Sequence, residues 1–81
     1  MNSNNIILNK INAFLSSIRG YEIKSMPNST IRELDLDSLE FINLFVMIED
    51  EFGFTFTNDD LILDNYKVIQ DIINIVLKRA G

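Results

Sequence analysis

Apolar residues near the start of the chain recur at the spacing of one face of an α-helix. They are Ile7, Ile11, Phe14, Leu15 and Ile18. Ser3 or Asn5 is a suitable N-cap for this helix, and Arg19 followed by Gly20 is typical of a helix C-terminus. The pattern therefore predicts a first helix that ends near residue 19.

Residues 20–36 lack this periodicity and are predicted to form a long connection, which contains the single proline, Pro27. Thr30 and Glu33 have the spacing of a capping box, in which each side chain accepts a hydrogen bond from the other residue's backbone N–H. The connection is therefore expected to contain one short helical turn, from Ile31 to Leu34.

The clearest helix signal follows this connection. Asp37 and Glu40 form a second capping-box pattern, which puts Asp37 at the N-cap and Ser38 at the first helical position. The helix is predicted to continue to about Phe52 and to end at Gly53.

This helix carries two separate apolar stripes. The first falls within a third of the helical wheel and is predicted to face the core. It consists of Phe41, Leu44, Phe45, Ile48 and Phe52. The second stripe, formed by Leu39, Ile42 and Val46, lies more than about 90° away. Because so small a domain seldom buries both, we expect the second stripe to be an exposed apolar strip flanked by Glu49 and Asp50.

The remainder of the chain predicts two further helices. A short one begins in the segment 57–60 and runs to about Leu63. The last begins at about Lys67 and has an apolar face. That face consists of Val68, Ile72, Ile75 and Val76. The fold class is therefore all-α: an irregular four-helix bundle of three longer helices and one short helix, in a single domain over residues 1–81.

Residue types that are absent narrow the chemistry. The chain has no cysteine, which excludes a disulfide scaffold, a thiolate metal site and a cysteine nucleophile. It has no histidine, so the commonest general base and metal ligand is missing. The acidic residues lack the spacing of an EF-hand loop. We therefore predict no metal site and no catalytic residue.

The charge of the chain is unevenly distributed. The net charge is −5, but residues 33–66 hold ten acids and no base, whereas the segments on either side are positively charged. Such a middle segment repels nucleic acid and anionic lipid, and it attracts basic protein surfaces. No apolar run approaches the length of a membrane span, and the first residues do not resemble a signal peptide. We expect a cytoplasmic, monomeric protein with protein partners.

Ser38 is the residue most open to a chemical role. At the first position of a helix, backbone N–H groups are unsatisfied and the helix dipole is positive, so a phosphate esterified to Ser38 would be stabilised there. The tripeptide Asp37-Ser38-Leu39 alone favours the plainer interpretation, in which the serine only extends an ordinary helix cap.

The wider context resembles the acyl carrier protein family, which includes peptidyl carrier domains. The resemblance covers nearly the whole chain: a helix, a long loop, the residues Leu34-Asp35-Leu36-Asp37-Ser38-Leu39, and an acidic helix ending in Glu49-Asp50-Glu51-Phe52. A short helix and a final helix follow. The resemblance implies a 4'-phosphopantetheine arm, derived from coenzyme A, on the serine of the Asp-Ser-Leu motif. In this chain that serine is Ser38.

The resemblance also implies a surface for partner enzymes. Leu39, Ile42 and Val46 match the family's partner-contacting positions. The acidic positions that meet basic residues on those enzymes are matched by Asp37, Glu40, Glu49 and Asp50. Three positions depart from the family pattern. Asp35 stands where many members have glycine, Asn43 replaces an acid of fatty-acid carriers, and Phe41 is bulkier than usual.

The resulting hypothesis is a carrier that holds acyl or aminoacyl groups as thioesters and is itself a substrate, not an enzyme. Its expected partners are a phosphopantetheinyl transferase, an acyl- or aminoacyl-loading ligase or transferase, and synthase enzymes. Fatty-acid, polyketide, aminoacyl and other lipid pathways all stay open, as does a place within a larger synthase. The alternative is an acidic helical adaptor that carries no prosthetic group and binds one basic protein partner.

Overall fold

Four α-helices and two short 3₁₀ helices account for most of the chain in the computed structural model, which describes residues 2–80. The helices are α1 (Ser3–Arg19), α2 (Ile31–Leu34), α3 (Ser38–Phe52) and α4 (Ile69–Ala80). The 3₁₀ helices are Asp59–Leu61 and Leu63–Asn65. The predicted domain range of 1–81 also includes Met1 and Gly81, which lie outside the described residues. No helix within residues 2–80 is long and apolar enough to cross a membrane.

The start of α1 differs from the prediction. Neither Ser3 nor Asn5 caps it: Asn2 has an extended backbone, and its side chain accepts a hydrogen bond from the Asn4 N–H at 2.8 Å. Its carbonyl also accepts the N–H groups of Asn5 and Ile6, so the helical hydrogen bonds already begin at residue 2. The predicted end is confirmed, since Gly20 adopts φ 77° and donates its N–H to the Ser16 carbonyl.

The core forms where α1, α3 and α4 face one another. The predicted stripe of α3 is confirmed, with Phe52 at its edge only half-buried. The buried side chains of the three helices are Ile7, Ile11 and Leu15 of α1, Phe41, Leu44, Phe45 and Ile48 of α3, and Ile69, Ile72, Ile73 and Val76 of α4. Rings add to this packing, since Phe45 lies 4.4 Å from Phe41 and 4.6 Å from Phe56 between centroids.

The buried face of α4 was predicted incorrectly in part. The prediction included Val68 and Ile75, but both are only partly buried, and Ile69 and Ile73 face the core instead. Val68 precedes the helix because it forms an isolated backbone bridge with Thr30. This bridge fixes where α4 begins, and the face centred on Ile69, Ile72, Ile73 and Val76 then turns inward.

The predicted short helix near residues 57–63 is also wrong in form. The segment is two 3₁₀ helices separated by Ile62, whose backbone is extended at φ −92° and ψ 112°. Here the carbonyl of Asp60 accepts a hydrogen bond from the Tyr66 hydroxyl, and the Asp60 side chain binds Arg79. These tertiary contacts favour short turns over a continuous α-helix.

The long connection runs beside α1 and is tied to it by hydrogen bonds. Asn12 accepts the Ser25 N–H at 3.0 Å and donates to the Ser25 carbonyl at 3.1 Å, and Ser16 accepts the Ile23 N–H at 2.7 Å. The predicted turn within the connection is confirmed as α2, with the capping box of Thr30 and Glu33 formed. Hydrogen bonds to α1 and the short helix α2 therefore hold the connection against the bundle.

Candidate attachment site

Ser38 occupies the first position of α3, as the sequence predicted, and it is exposed. The capping box that precedes it is fully formed. The Asp37 carboxylate accepts the Glu40 N–H at 2.8 Å, and the Glu40 carboxylate accepts the Asp37 N–H at 3.1 Å. Because these two side chains complete the cap, the Ser38 hydroxyl is not needed for it and is left at the protein surface.

The backbone around Ser38 is suited to a phosphate. In the first turn of α3, the Glu40 N–H donates to the Asp37 side chain and the Phe41 N–H donates to the Asp37 carbonyl at 3.0 Å. The N–H groups of Ser38 and Leu39 precede these two. Neither the Ser38 N–H nor the Leu39 N–H donates a hydrogen bond to another described residue. A phosphate ester on Ser38 would therefore lie beside unsatisfied donors and the positive end of the helix dipole.

The backbone just before this site adopts an uncommon conformation. Asp35 ends α2 in the left-handed region at φ 50° and ψ 46°, and it is the one non-glycine residue with positive φ within residues 2–80. Its N–H donates to the Arg32 carbonyl at 3.0 Å. This is the position where the resemblance expects glycine. Aspartate can occupy this position without glycine's freedom, because it tolerates the left-handed region better than most residues.

Two substitutions at this position isolate the backbone effect, because both remove the same charge. We expect Asp35→Val to be less stable than Asp35→Gly by about 1–2 kcal/mol, since a β-branched residue is disfavoured at positive φ and glycine is not. Urea unfolding at neutral pH measures the difference. Equal stability of the two variants would show that Asp35 does not hold a left-handed backbone in solution.

Arg19 joins this segment to α1, a contact that the sequence did not reveal. Its Nη2 donates to the carbonyls of Leu34 and Asp35, at 2.5 Å and 2.7 Å. Its Nε lies 2.9 Å from the Glu40 carboxylate, as an ion pair without hydrogen-bond alignment. The sequence indicated only a basic residue in the last turn of a helix, because nothing local marks a contact with residues 15 or more positions away.

The second apolar stripe of α3 is exposed at both ends. Leu39 is 69% exposed and Val46 is 45% exposed, whereas Ile42 between them is half-buried and packs against the core. The prediction of an exposed strip is therefore confirmed for Leu39 and Val46 and holds only in part for Ile42. Leu39 directly follows Ser38, so apolar surface adjoins the exposed hydroxyl.

The four acidic residues matched to partner contacts differ in how they are used within the fold. Asp37 and Glu40 form the cap of α3, and the Glu49 carboxylate accepts the Phe56 N–H at 2.7 Å. Asp50 is exposed, and its side chain makes no hydrogen bond or ion pair with the other described residues. Asp50 is therefore the acid of this set whose charge is most available to a partner.

Comparisons with known proteins identify the class of this bundle. The acyl carrier protein of Thermotoga maritima superimposes with a TM-score of 0.81 at 24% sequence identity, over 95% of this chain and 89% of that protein. The fold is therefore that of an acyl carrier protein. A sequence model described as "Phosphopantetheine attachment site" matches residues 9–76. The chain belongs to this family, which confirms the predicted resemblance, the all-α fold class and the kind of prosthetic group.

Two curated relatives agree with this assignment. An acyl carrier protein of Coprothermobacter proteolyticus is 31% identical over 52 residues, which cover 64% of this chain and 61% of that protein. An acyl carrier protein homolog of Mycoplasma genitalium is 41% identical over 57 residues, which cover 65% of this chain and 66% of that protein. The aligned region thus spans slightly less than two thirds of either relative.

Proposed function

We propose that the protein is an acyl carrier whose 4'-phosphopantetheine arm is attached to Ser38. The observation that supports this most directly is the exposed serine at the first position of α3, in a chain that matches the attachment family over residues 9–76. The arm ends in a thiol, which holds acyl or aminoacyl groups as thioesters. Because residues 1–81 include no cysteine, that thiol would be the only one on this domain.

In attachment, Ser38 would serve as the acceptor nucleophile. A bond forms between its hydroxyl oxygen and the phosphorus of the phosphopantetheine group of coenzyme A. The phosphoanhydride bond to the nucleotide breaks, and adenosine bisphosphate leaves. The hydroxyl proton must pass to a base, and the chain has no histidine for that role. We infer that the transferase supplies the base, together with a magnesium ion that neutralises charge on the phosphate groups, so this protein is a substrate in the reaction.

The proposed partners follow from this role and from the surface of α3. They are a phosphopantetheinyl transferase, an acyl- or aminoacyl-loading ligase or transferase, and the synthase enzymes that use the cargo. Leu39 and Val46 offer apolar contact, while Asp50 and the negative charge of residues 33–66 favour basic partner surfaces. A cytoplasmic location and a monomeric state stay predictions.

Intact-mass measurement tests the proposed function. The protein is coexpressed with a broad-specificity phosphopantetheinyl transferase, and the purified sample is digested to locate any modification. We expect one phosphopantetheine adduct, mapped to the peptide that contains Ser38. A folded sample that repeatedly stays unmodified would contradict the carrier role and favour the unmodified acidic adaptor.

The exposed strip gives a separate prediction about docking. We expect Leu39→Ala to raise the KM of the transferase for this protein about tenfold, because it removes apolar surface that a partner would bury. Raising the salt concentration should increase the KM of the wild type, because salt screens the attraction between its acidic surface and the transferase. The KM of Leu39→Ala should depend on salt in the same way, because this substitution removes no charge. Steady-state kinetics at low and high salt measure both effects.

Leu77→Ala is the matched control, since Leu77 is also an exposed leucine, at 40%, but lies on α4. Its KM should stay within about twofold of the wild type. If the variants of Leu39 and Leu77 behave alike, the exposed strip of α3 is not the docking surface.

A further inference from the structure

Arg19 is the residue that joins three parts of the fold around the attachment serine. It is the last residue of α1, and its side chain is 18% exposed. Its guanidinium contacts the carbonyls of Leu34 and Asp35 at the end of α2, and the carboxylate of Glu40 in the first turn of α3. These contacts lie on both sides of Ser38 along the chain.

Through Glu40, Arg19 is connected to Asp37 at the start of α3. One carboxylate oxygen of Glu40 pairs with Arg19, and the other accepts the Asp37 N–H at 3.1 Å. Asp37 in turn accepts the Glu40 N–H at 2.8 Å. A single guanidinium is therefore linked, through one side chain, to the backbone of the residue that immediately precedes Ser38.

The segment needs such support because one of its residues has an unfavourable backbone. Asp35 is left-handed at φ 50°, a conformation that aspartate tolerates better than most residues but that still costs energy unless its surroundings hold it. Arg19 donates to the Asp35 carbonyl itself at 2.7 Å. Without this donor, the turn between α2 and α3 would be free to sample other conformations, and the orientation of Ser38 would vary with it.

We propose that Arg19 is a positioning residue for the reaction at Ser38, holding residues 34–40 in the conformation that presents the serine hydroxyl to the transferase. This inference rests on the proposed carrier function. Arg19 does not touch the reacting atoms in this role. It acts by increasing the fraction of molecules whose α2–α3 turn is correctly formed. The apparent affinity for a partner is proportional to that fraction, so it decreases when the fraction decreases.

The geometry favours arginine over lysine at this position. One terminal nitrogen of the guanidinium donates to two carbonyls while Nε faces a carboxylate, an arrangement that depends on a planar, forked group. A lysine ammonium is a single charged point and would not reach all three acceptors at once. Arg19→Lys should therefore preserve the charge and only part of the positioning.

The test compares the kinetics of phosphopantetheine transfer from coenzyme A for Arg19→Met and Arg32→Met, with intact chains and one transferase. Arg32 is the matched control: it lies on α2 next to the same turn, is exposed, and makes no side-chain hydrogen bond or ion pair with another described residue. Both variants lose one positive charge, so effects of net charge on docking cancel. We expect Arg19→Met to raise KM about tenfold with little change in kcat, and Arg32→Met to stay within about twofold of the wild type.

Two further measurements keep the proposal testable if Arg19→Met folds poorly. The KM of Arg19→Lys should lie between those of the wild type and Arg19→Met, whereas Arg32→Lys should match the wild type. Hydrogen exchange should become faster at the hydrogen-bonded amides of Asp35, Asp37 and Glu40 in Arg19→Lys, with exchange in α4 unchanged. Equal KM values for the variants of Arg19 and Arg32, or unchanged exchange in this segment, would overturn the proposal.

These outcomes are distinct from a failure of the carrier function. If the wild type itself never accepts phosphopantetheine, the proposed function fails, and the exchange measurement still decides whether Arg19 fixes the α2–α3 turn. If the wild type is modified and the Arg19 variants react as the wild type does, the carrier function stands and the role of Arg19 is wrong.

Discussion

Ser38→Ala is expected to fold like the wild type and to accept no phosphopantetheine. The Asp37 and Glu40 side chains already complete the cap of α3, and Ser38 is exposed, so removal of its hydroxyl should cost well under about 1 kcal/mol. Labelling should nevertheless be lost completely, because the variant has no oxygen at this position to form the phosphate ester. Thermal unfolding followed by circular dichroism measures stability, and intact mass after incubation with the transferase measures labelling.

Ser17→Ala is the matched control for this experiment. Ser17 is also an exposed serine in a helix, but it lies on α1. This variant should be labelled as the wild type is, with a single adduct. If Ser38→Ala still gains an adduct, the attachment site lies on another residue and the assignment of Ser38 is wrong.

The start of α3 could be predicted because its determinants are local. The capping box spans only four residues, and Gly53 ends the helix through its own backbone at φ 73°. The capping box also places Ser38 at the first helical position. The exposure of Leu39 and Val46 could be predicted from the helical period and the small size of the domain. The short turn α2 could also be predicted, since Thr30 and Glu33 form its capping box within a single turn.

The remaining features depend on contacts between side chains and segments outside the local helical pattern. The acidic pattern of α3 gave no indication that Glu49 binds the Phe56 N–H or that Glu40 pairs with Arg19. The segment after residue 56 had a plausible helix start in its sequence, but contacts with Tyr66 and Arg79 determine its actual form. Local patterns cannot show which polar side chains a neighbouring element will use.

The clearest example is the contact between Asp60 and Arg79, which are 19 residues apart in the chain. Only 7% of Asp60 is exposed, and its carboxylate accepts two hydrogen bonds from Arg79, at 2.7 Å and 3.0 Å, and one from the Thr57 N–H at 3.0 Å. The Asp60 carbonyl accepts the hydroxyl of Tyr66, whose ring packs 5.3 Å from that of Phe45. The ion pair thus joins the first 3₁₀ helix to the end of α4, and the Tyr66 ring packs against Phe45 of α3.

This pair makes the stability of the fold depend on pH. Mainly because of the hydrogen bonds from Arg79, the pKa of Asp60 is lowered from 3.8 to about 2. A carboxyl whose pKa is lower in the folded state contributes stability that is fully present above its unfolded pKa, near 4. That contribution is lost as the pH falls through the folded pKa. For this shift it amounts to about 2 kcal/mol at neutral pH.

Asp60→Asn is therefore expected to lower the free energy of unfolding by about 2 kcal/mol at pH 7. The difference in this free energy between the variant and the wild type should become smaller as the pH falls from about 4 toward 2. Asp59→Asn is the control, because it removes the same charge from the adjacent residue, which is exposed. Its cost should be small at every pH, since an exposed carboxylate contributes little. Urea unfolding of the three proteins over this pH range measures both effects. A gap that does not change with pH, or equal losses in the two variants, would show that the pairing of Asp60 with Arg79 does not stabilise the fold.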